Sequence, residues 1–317
     1  MKVENIFIVL IVLGLFVSPL FSNSKIRVIT TLPDFKDIAE RIGGDKVEVE
    51  ALAKGYQDPH YVDAKPSFMV KLNKADLFIW AGLDLEVGWV PPLVEGARNS
   101  DILWGAQGNL DASNGIPLLQ IPDVPAAQLR AGGDLHIYGN PHYWLDPLRG
   151  KTVAQNIFDK LAQIAQEHQT YFSENLEQFK KRIDQKVAEW IEKMAPYGGT
   201  KIIAYHNSWP YFEQRFGIEI AGFIEPKPGI PPSPGHLVSV IKKMKQQDIK
   251  IIIISPYFDD KPAESVAKRT DATVVRFAPS VGAFKEVKTY FDLFEYNINA
   301  LIEAFKEKSI PAKPSTK

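Results

Sequence analysis

The 317-residue chain is 45% hydrophobic and 24% charged, with 37 Lys and Arg against 38 Asp and Glu and a formal net charge of -1. The apolar fraction excludes a disordered chain and the length suits about two domains, while the balanced charge, with no Lys/Arg-rich block, argues against a nucleic-acid or other polyanionic partner. The chain has no cysteine, which excludes disulfides, thiolate metal ligation, a cysteine nucleophile and a lipid-bearing cysteine, so any chemistry falls to imidazoles, carboxylates, hydroxyls and backbone.

Met1 and Lys2 precede an apolar run from Ile6 to Val17, followed by Ser18-Pro19 and small residues, with Ser22 and Ser24 at the −3 and −1 positions of a cleavage before Lys25. This is the pattern of a cleaved secretory signal over residues 1–24, and the run is short for a membrane span of about 20 residues. The mature chain is expected to be exported and soluble. Without a lipidated cysteine it would be lost from a cell lacking an outer membrane, so the expected location is a periplasm.

Ile26 to Thr31 is β-branched and reads as a buried strand; Phe35, Ile38, Ala39 and Ile42 then follow helical spacing after Pro33, with Gly43-Gly44 as the stop. Val47, Val49 and Ala51 alternate as a second strand and Leu77 to Ala81 form a third, which predicts a helix-covered parallel sheet. Gly105 to Asn140 reads as irregular loop. Lys151 to Met194 reads as helical, with Ser173 as a cap for the stripe Leu176, Phe179, Ile183, Val187, Trp190 and Met194. A second alternating unit follows, with strands over 201–205, 218–223, 249–255 and 273–277. Its helices are expected over 209–215, 237–246, 262–268 and 290–306. Five prolines between Pro226 and Pro234 predict a stiff exposed loop, and the tail after Ser309 is expected to be disordered. The expected organisation is a first α/β lobe over 25–150, a linking helical region over 151–198, a second α/β lobe over 199–309 and a free tail over 310–317.

The chemical signal lies in the histidines. His60 sits in Gly55-Tyr56-Gln57-Asp58-Pro59-His60, a turn after the second strand. His142 lies in Asn140-Pro141-His142-Tyr143-Trp144-Leu145-Asp146-Pro147, and His206 directly follows a strand, at the end where open parallel sheets bind ligands. Three converging neutral imidazoles would make a nitrogen site suited to zinc. Residue chemistry alone leaves two readings open, a shared metal site or three separate turn and surface histidines. His136, His168 and His236 are read as structural or solvated, the last as part of a helix start. Trp144, Trp209 and Tyr211 are read as packing around the cleft.

The segments Asp58-Pro59-His60 with Lys65-Pro66-Ser67, Ala75-Asp76-Leu77 with Gly82 and Glu86-Val87-Gly88-Trp89, and Asn140 to Pro147 resemble the zinc/manganese-binding solute receptors of ABC importers. The likeness continues through Tyr205-His206-Asn207-Ser208-Trp209-Pro210-Tyr211-Phe212 and the closing helix from Tyr290 to Asn297, covering nearly the whole mature chain. The resemblance implies two parallel-sheet α/β lobes bridged by a long rigid helix, with one metal in the interlobe cleft held by His60, His142 and His206. It implies a monomeric, non-enzymatic receptor whose partners are a divalent metal ion and the membrane permease of an ABC importer.

Two departures bear on the fourth ligand. Where many members place an aspartate after the last strand this chain has Ala278, and where a glutamate is common it has Ser255. The fourth position is expected to be water or a carboxylate from elsewhere, Asp259 first and Asp58 second. The stretch Gly132 to Gly139, where zinc-specific members often carry a His/Asp-rich loop, holds only Asp134 and His136. Three imidazoles favour zinc over manganese, which prefers carboxylate oxygens. The alternatives are a receptor for a metal chelate on the same scaffold and a zinc hydrolase, the latter weakened by the absence of any HExxH pair or nucleophile elbow.

Overall fold

The computed structural model describes residues 25–123 and 136–313. The secretory signal assigned to residues 1–24 lies outside the described residues. The first lobe runs β1 (Ile26–Thr30), α1 (Pro33–Gly43), β2 (Val47–Ala51), α2 (Pro66–Asn73), β3 (Leu77–Trp80), α3 (Val90–Gly96) and β4 (Asn109–Asp111). Helices α4 (Pro147–Ile164) and α5 (Gln169–Met194) follow. The second lobe runs β5 (Lys201–Ala204), α6 (Pro210–Phe216), β6 (Glu219–Phe223), α7 (Pro234–Gln246), β7 (Ile251–Ile254), α8 (Asp260–Thr270), β8 (Thr273–Arg276) and α9 (Tyr290–Glu307).

Both sheets are parallel, four-stranded and identically ordered, β2-β1-β3-β4 and β6-β5-β7-β8. In each, the chain leaves the first strand to one side and returns to the other. The C-terminal ends of β1 and β5 therefore flank the reversal point where α/β sheets open a crevice. Strand periodicity sorts side chains onto two faces. Val28, Leu77, Ile79, Ile202, Ala204, Ile251 and Ile253 face one large core, which also takes the buried stripes of α4, α5 and α9. Ile29 and Phe78 face a smaller core under α2 and α3, while Ile203, Ile252 and Ile254 face one under α7 and α8.

That central core belongs to both lobes. Helix α5 buries Phe172, Leu176, Phe179, Ile183, Val187, Trp190 and Met194 along its length. At about 1.5–3 kcal/mol per fully buried large apolar side chain, this stripe accounts for most of what fixes the helix between the sheets. Helix α5 starts at Gln169, so Ser173 is interior and not the expected cap; packing of Phe172 extends the helix past the local signal. Strand β4, inside the stretch expected to be irregular, pairs Phe78 with Asn109 and Trp80 with Asp111. Three residues are too few to show periodicity. The tail is placed further than expected: Ile310 packs on the core and the Lys313 N–H donates to Pro196 O at 2.7 Å. Residues 314–317 lie outside the described residues.

Buried polar contacts also join the lobes. Asp146, fully buried, caps α4 through the Leu148 N–H at 3.0 Å and accepts two bonds from Arg215 of α6, at 2.7 and 2.9 Å, as well as one from Arg149. The Trp144 indole donates to Pro279 O at 3.0 Å, and the Tyr290 hydroxyl to Trp144 O at 2.6 Å. Asp34 of α1 accepts from the Ser280 hydroxyl and, at 3.1 Å, from the Val281 N–H, both in the loop after β8.

Burial raises the Asp34 carboxyl to about 7, against the lowering effect of its bonds to Ser280 and Val281. The folded chain therefore keeps a proton there that the unfolded chain releases near the ordinary 3.8. The stability this contributes is present at low pH and falls as pH rises toward the folded value. Urea unfolding between about pH 5 and about pH 8 should show the wild type losing more stability than Asp34→Asn, which keeps the shape and removes the titration. Parallel pH slopes in the two proteins would contradict it.

Candidate metal centre

Two of the histidines are presented by the same local device. In Asp58-Pro59-His60, Asp58 Oδ1 accepts the His60 backbone N–H at 3.0 Å and lies 2.6 Å from His60 Nδ1. In Asn140-Pro141-His142, Asn140 Oδ1 accepts the His142 N–H at 3.1 Å and lies 3.0 Å from His142 Nδ1. An Asx side chain bonding the backbone two residues on is a turn-former, and the intervening proline stiffens it. Here the same oxygen also fixes the imidazole. The Trp89 indole donates to Pro59 O at 2.9 Å and pins the first turn to the lobe.

His206 follows β5, where His206 Nδ1 bonds the Glu225 carboxylate. A carboxylate can only accept, so the Nδ1 of His60 and of His206 carries the proton and Nε2 presents its lone pair inward. Asn140 Oδ1 imposes the same tautomer on His142. Among the described residues, His142 Nε2 and His206 Nε2 are buried without a hydrogen-bond partner. The three expected residues are together: ring centres lie 5.2 Å apart for His60 and His142, 5.5 Å for His60 and His206, and 5.7 Å for His142 and His206.

A fourth imidazole joins them. His136, read from sequence as structural or solvated, places Nε2 3.2 Å from His60 Nε2. Its ring centre lies 5.1 Å from that of His60 and 5.7 Å from that of His142. Ligand atoms of His60, His136 and His206 all fall within 4.8 Å of one another. All four histidines are 8% exposed or less. Burial pushes the His136 imidazole down to about 3, and burial also holds His142 well below the ordinary range. Both are therefore neutral donors at neutral pH, where protons do not compete for their lone pairs.

The carboxylates considered for the fourth position do other work. Asp259 is exposed and caps α8 through the Lys261 N–H at 3.1 Å. Asp58 holds His60 from behind; burial opposes its charge, but the hydrogen bonds and charge of His60 keep its carboxyl below the ordinary value. Ala278 is buried and its backbone is held by Asn297 at 2.7 and 2.9 Å. Asp134 lies outside the described residues. His168 is half-buried beside Phe172, and His236 lies in the first turn of α7 with its ring on Phe223 O at 3.1 Å. Trp144 and Trp209 are core residues as expected. Tyr211 does more than pack: its hydroxyl donates to Asn140 O at 2.6 Å and accepts the Leu119 N–H at 3.1 Å.

Glu225 was not singled out in the sequence, although a carboxylate just past a strand end, opening a Pro-rich loop, is a signal that could have found it. Its second oxygen accepts the Gly229 N–H at 2.6 Å. Gly229 has φ 72°, and a Cβ there would come 2.6 Å from the Tyr61 hydroxyl of the other lobe, so this turn of the loop closes against the residue next to His60. Asn140 is a second crossing point, its amide donating to Asn207 O at 2.8 Å beside His206.

Two parallel-sheet lobes bridged by a long helix, with buried imidazoles meeting in the cleft, define a metal-binding solute receptor of ABC importers and not an enzyme. The family model described as "ZnuA: Zinc-uptake complex component A periplasmic" matches residues 28–304, and the chain belongs to this family. Among curated relatives, the manganese ABC transporter substrate-binding lipoprotein PsaA of Streptococcus anginosus is 24% identical, covering 90% of this chain and 91% of its own. The metal ABC transporter substrate-binding lipoprotein FimA of Streptococcus parasanguinis is 24% identical over 93% of this chain and 98% of its own. The fold matches a crystal structure of ZnuA with a TM-score of 0.74 at 22% identity, covering 89% of this chain and 99% of that one. It also matches a manganese-bound periplasmic metal-binding protein from candidatus liberibacter asiaticus, with a TM-score of 0.71 at 20% identity over 88% and 99%.

Acceptors behind ligating histidines typically control about 10–100-fold in metal affinity. Glu225→Ala should therefore weaken divalent-metal binding by about that factor in a chelator-competition titration, with an unchanged circular-dichroism spectrum. An affinity within about twofold of wild type would remove Glu225 from the site.

Proposed function

We propose that this protein is an extracytoplasmic receptor that captures zinc and passes it to the permease of an ABC importer, with His60, His142 and His206 as ligands. The observation that carries the reading is the set of Nε2 atoms turned inward from both lobes, two of them buried with no hydrogen-bond partner among the described residues. A buried lone pair without a donor is costly unless something binds it. Relatives are named for manganese or for metal in general, so the metal must be argued from the donors. Among the described residues the clustered donors are imidazole nitrogens, which suit zinc, while manganese prefers carboxylate oxygen.

The electrostatics support a dication. His136 and His142, held neutral by burial, bring no charge, and the carboxylates of Asp58 and Glu225 lie directly behind His60 and His206. These two carboxylates, Glu225 buried and Asp58 half-buried, favour a divalent ion in the cleft without themselves ligating it. On this reading the signal over residues 1–24 directs export to a periplasm, and the protein acts as a monomer. Among the described residues no helix is long and apolar enough to cross a membrane.

A ligand that binds only the folded state stabilises it by about 2.7 kcal/mol at 100 times its Kd. Zinc should raise the melting temperature of the wild type, and His206→Ala should lower zinc affinity by more than about tenfold, roughly 1.4 kcal/mol. Calorimetric titration giving equal affinities for the two proteins would overturn the ligand assignment.

A further inference from the structure

We propose that His136 is the fourth ligand of the captured ion, completing an all-imidazole tetrahedron that leaves no position for water or carboxylate and so sets the preference for zinc over manganese. The proposal rests on the receptor reading above and adds to it a residue on which selectivity depends.

The geometry carries it. With a metal–nitrogen length of about 2.0–2.1 Å, tetrahedral ligand nitrogens stand about 3.3 Å apart, and imidazole centres lie about 5.2 Å apart. His60 Nε2 and His136 Nε2 are 3.2 Å apart, one edge of such a tetrahedron. The ring separations are 5.1, 5.2, 5.5, 5.7 and 5.7 Å for five of the six pairs among His60, His136, His142 and His206. The remaining pair, His136 and His206, belongs to the group whose ligand atoms lie within 4.8 Å of one another.

The chemistry of the surroundings agrees. With the His60 proton on Nδ1, against Asp58, the 3.2 Å contact is one in which His136 Nε2–H donates to the His60 Nε2 lone pair, and an ion entering between them takes both nitrogens once the His136 proton moves to Nδ1. Among the described residues no carboxylate takes the position: Asp58 and Glu225 are behind His60 and His206, Asp259 caps α8, and Ala278 and Ser255 have no carboxyl. Ligand atoms of His60, His136 and His206 already lie within 4.8 Å of one another, and the His142 ring centre stands 5.2 to 5.7 Å from those of the other three, so drawing His142 Nε2 inward completes four nitrogens in the tetrahedral arrangement zinc prefers. Manganese favours octahedral, oxygen-rich surroundings and would need ligands this pocket does not offer.

The test uses cobalt(II) as a spectroscopic stand-in for zinc, with zinc and manganese titrated against a chelator, in wild type, His136→Ala, His136→Asp and His206→Ala. Four-coordinate cobalt(II) absorbs strongly in the visible, whereas five- and six-coordinate forms absorb weakly. Wild type should give the intense spectrum and His136→Ala the weak one, with the zinc-to-manganese affinity ratio falling at least about tenfold, and further in His136→Asp. A wild-type spectrum and ratio in His136→Ala would overturn the proposal; if His206→Ala still lost zinc, the receptor reading would stand alone. Failure of the wild type to bind any of the three metals would overturn both. His136→Asp keeps a donor in place, so a changed metal preference in that variant separates altered coordination from misfolding.

Discussion

On the receptor reading, an ion shared between two lobes demands that the lobes hold their spacing to within a fraction of an ångström, and the shared core and buried interlobe bonds meet that demand. His60, His136 and His142 precede α4 in the chain and His206 follows β5 of the second lobe, and their rings meet at 5.1 to 5.7 Å between centres. The lobes do not have separate cores facing a solvent-filled hinge. They share one, filled by the inner faces of both sheets and by α4, α5 and α9. Moving one lobe against the other would expose that surface at about 25 cal/mol per Å², and would also break the buried bonds of Asp34, Asp146, Trp144 and Tyr290. The long helix is thus part of a common interior.

The second level of order is the control of each imidazole from behind. An imidazole that can flip or change tautomer presents a lone pair only part of the time. Asp58, Asn140 and Glu225 remove that freedom by occupying Nδ1 of His60, His142 and His206. Two of these acceptors also reach the opposite side of the cleft. Asn140 donates to Asn207 O, and Glu225 holds Gly229, which lies against Tyr61. Ligand orientation and lobe registration are consequently maintained by the same side chains.

Much of this was legible in the sequence for identifiable reasons. Strands and helices carry periodicities that a hydrophobic pattern reveals, so both lobes and the long amphipathic helix could be read in order. His60 and His142 were legible because Asx-Pro-His encodes its own turn, and His206 because it ends an apolar strand. Three features were not legible. Ser173 looked like a cap, but burial of Phe172 carries the helix back to Gln169. Strand β4 is too short to show alternation. His136 sits in a polar, irregular stretch where neither periodicity nor a turn motif singles out a histidine.

By itself, then, the sequence indicated the fold class and two similar α/β units through local periodicity, and its likeness to the metal-receptor family, carried by the Asx-Pro-His turns and the strand-end His206, singled out three imidazoles. It also determined that no thiolate could take part. The tertiary structure alone decided which groups surround those imidazoles: that His136 faces His60, that Glu225 stands behind His206, and that Asp259 belongs to a helix cap. These are contacts between segments far apart along the chain, and only the packing of the two sheets around their shared core brings such segments within bonding distance.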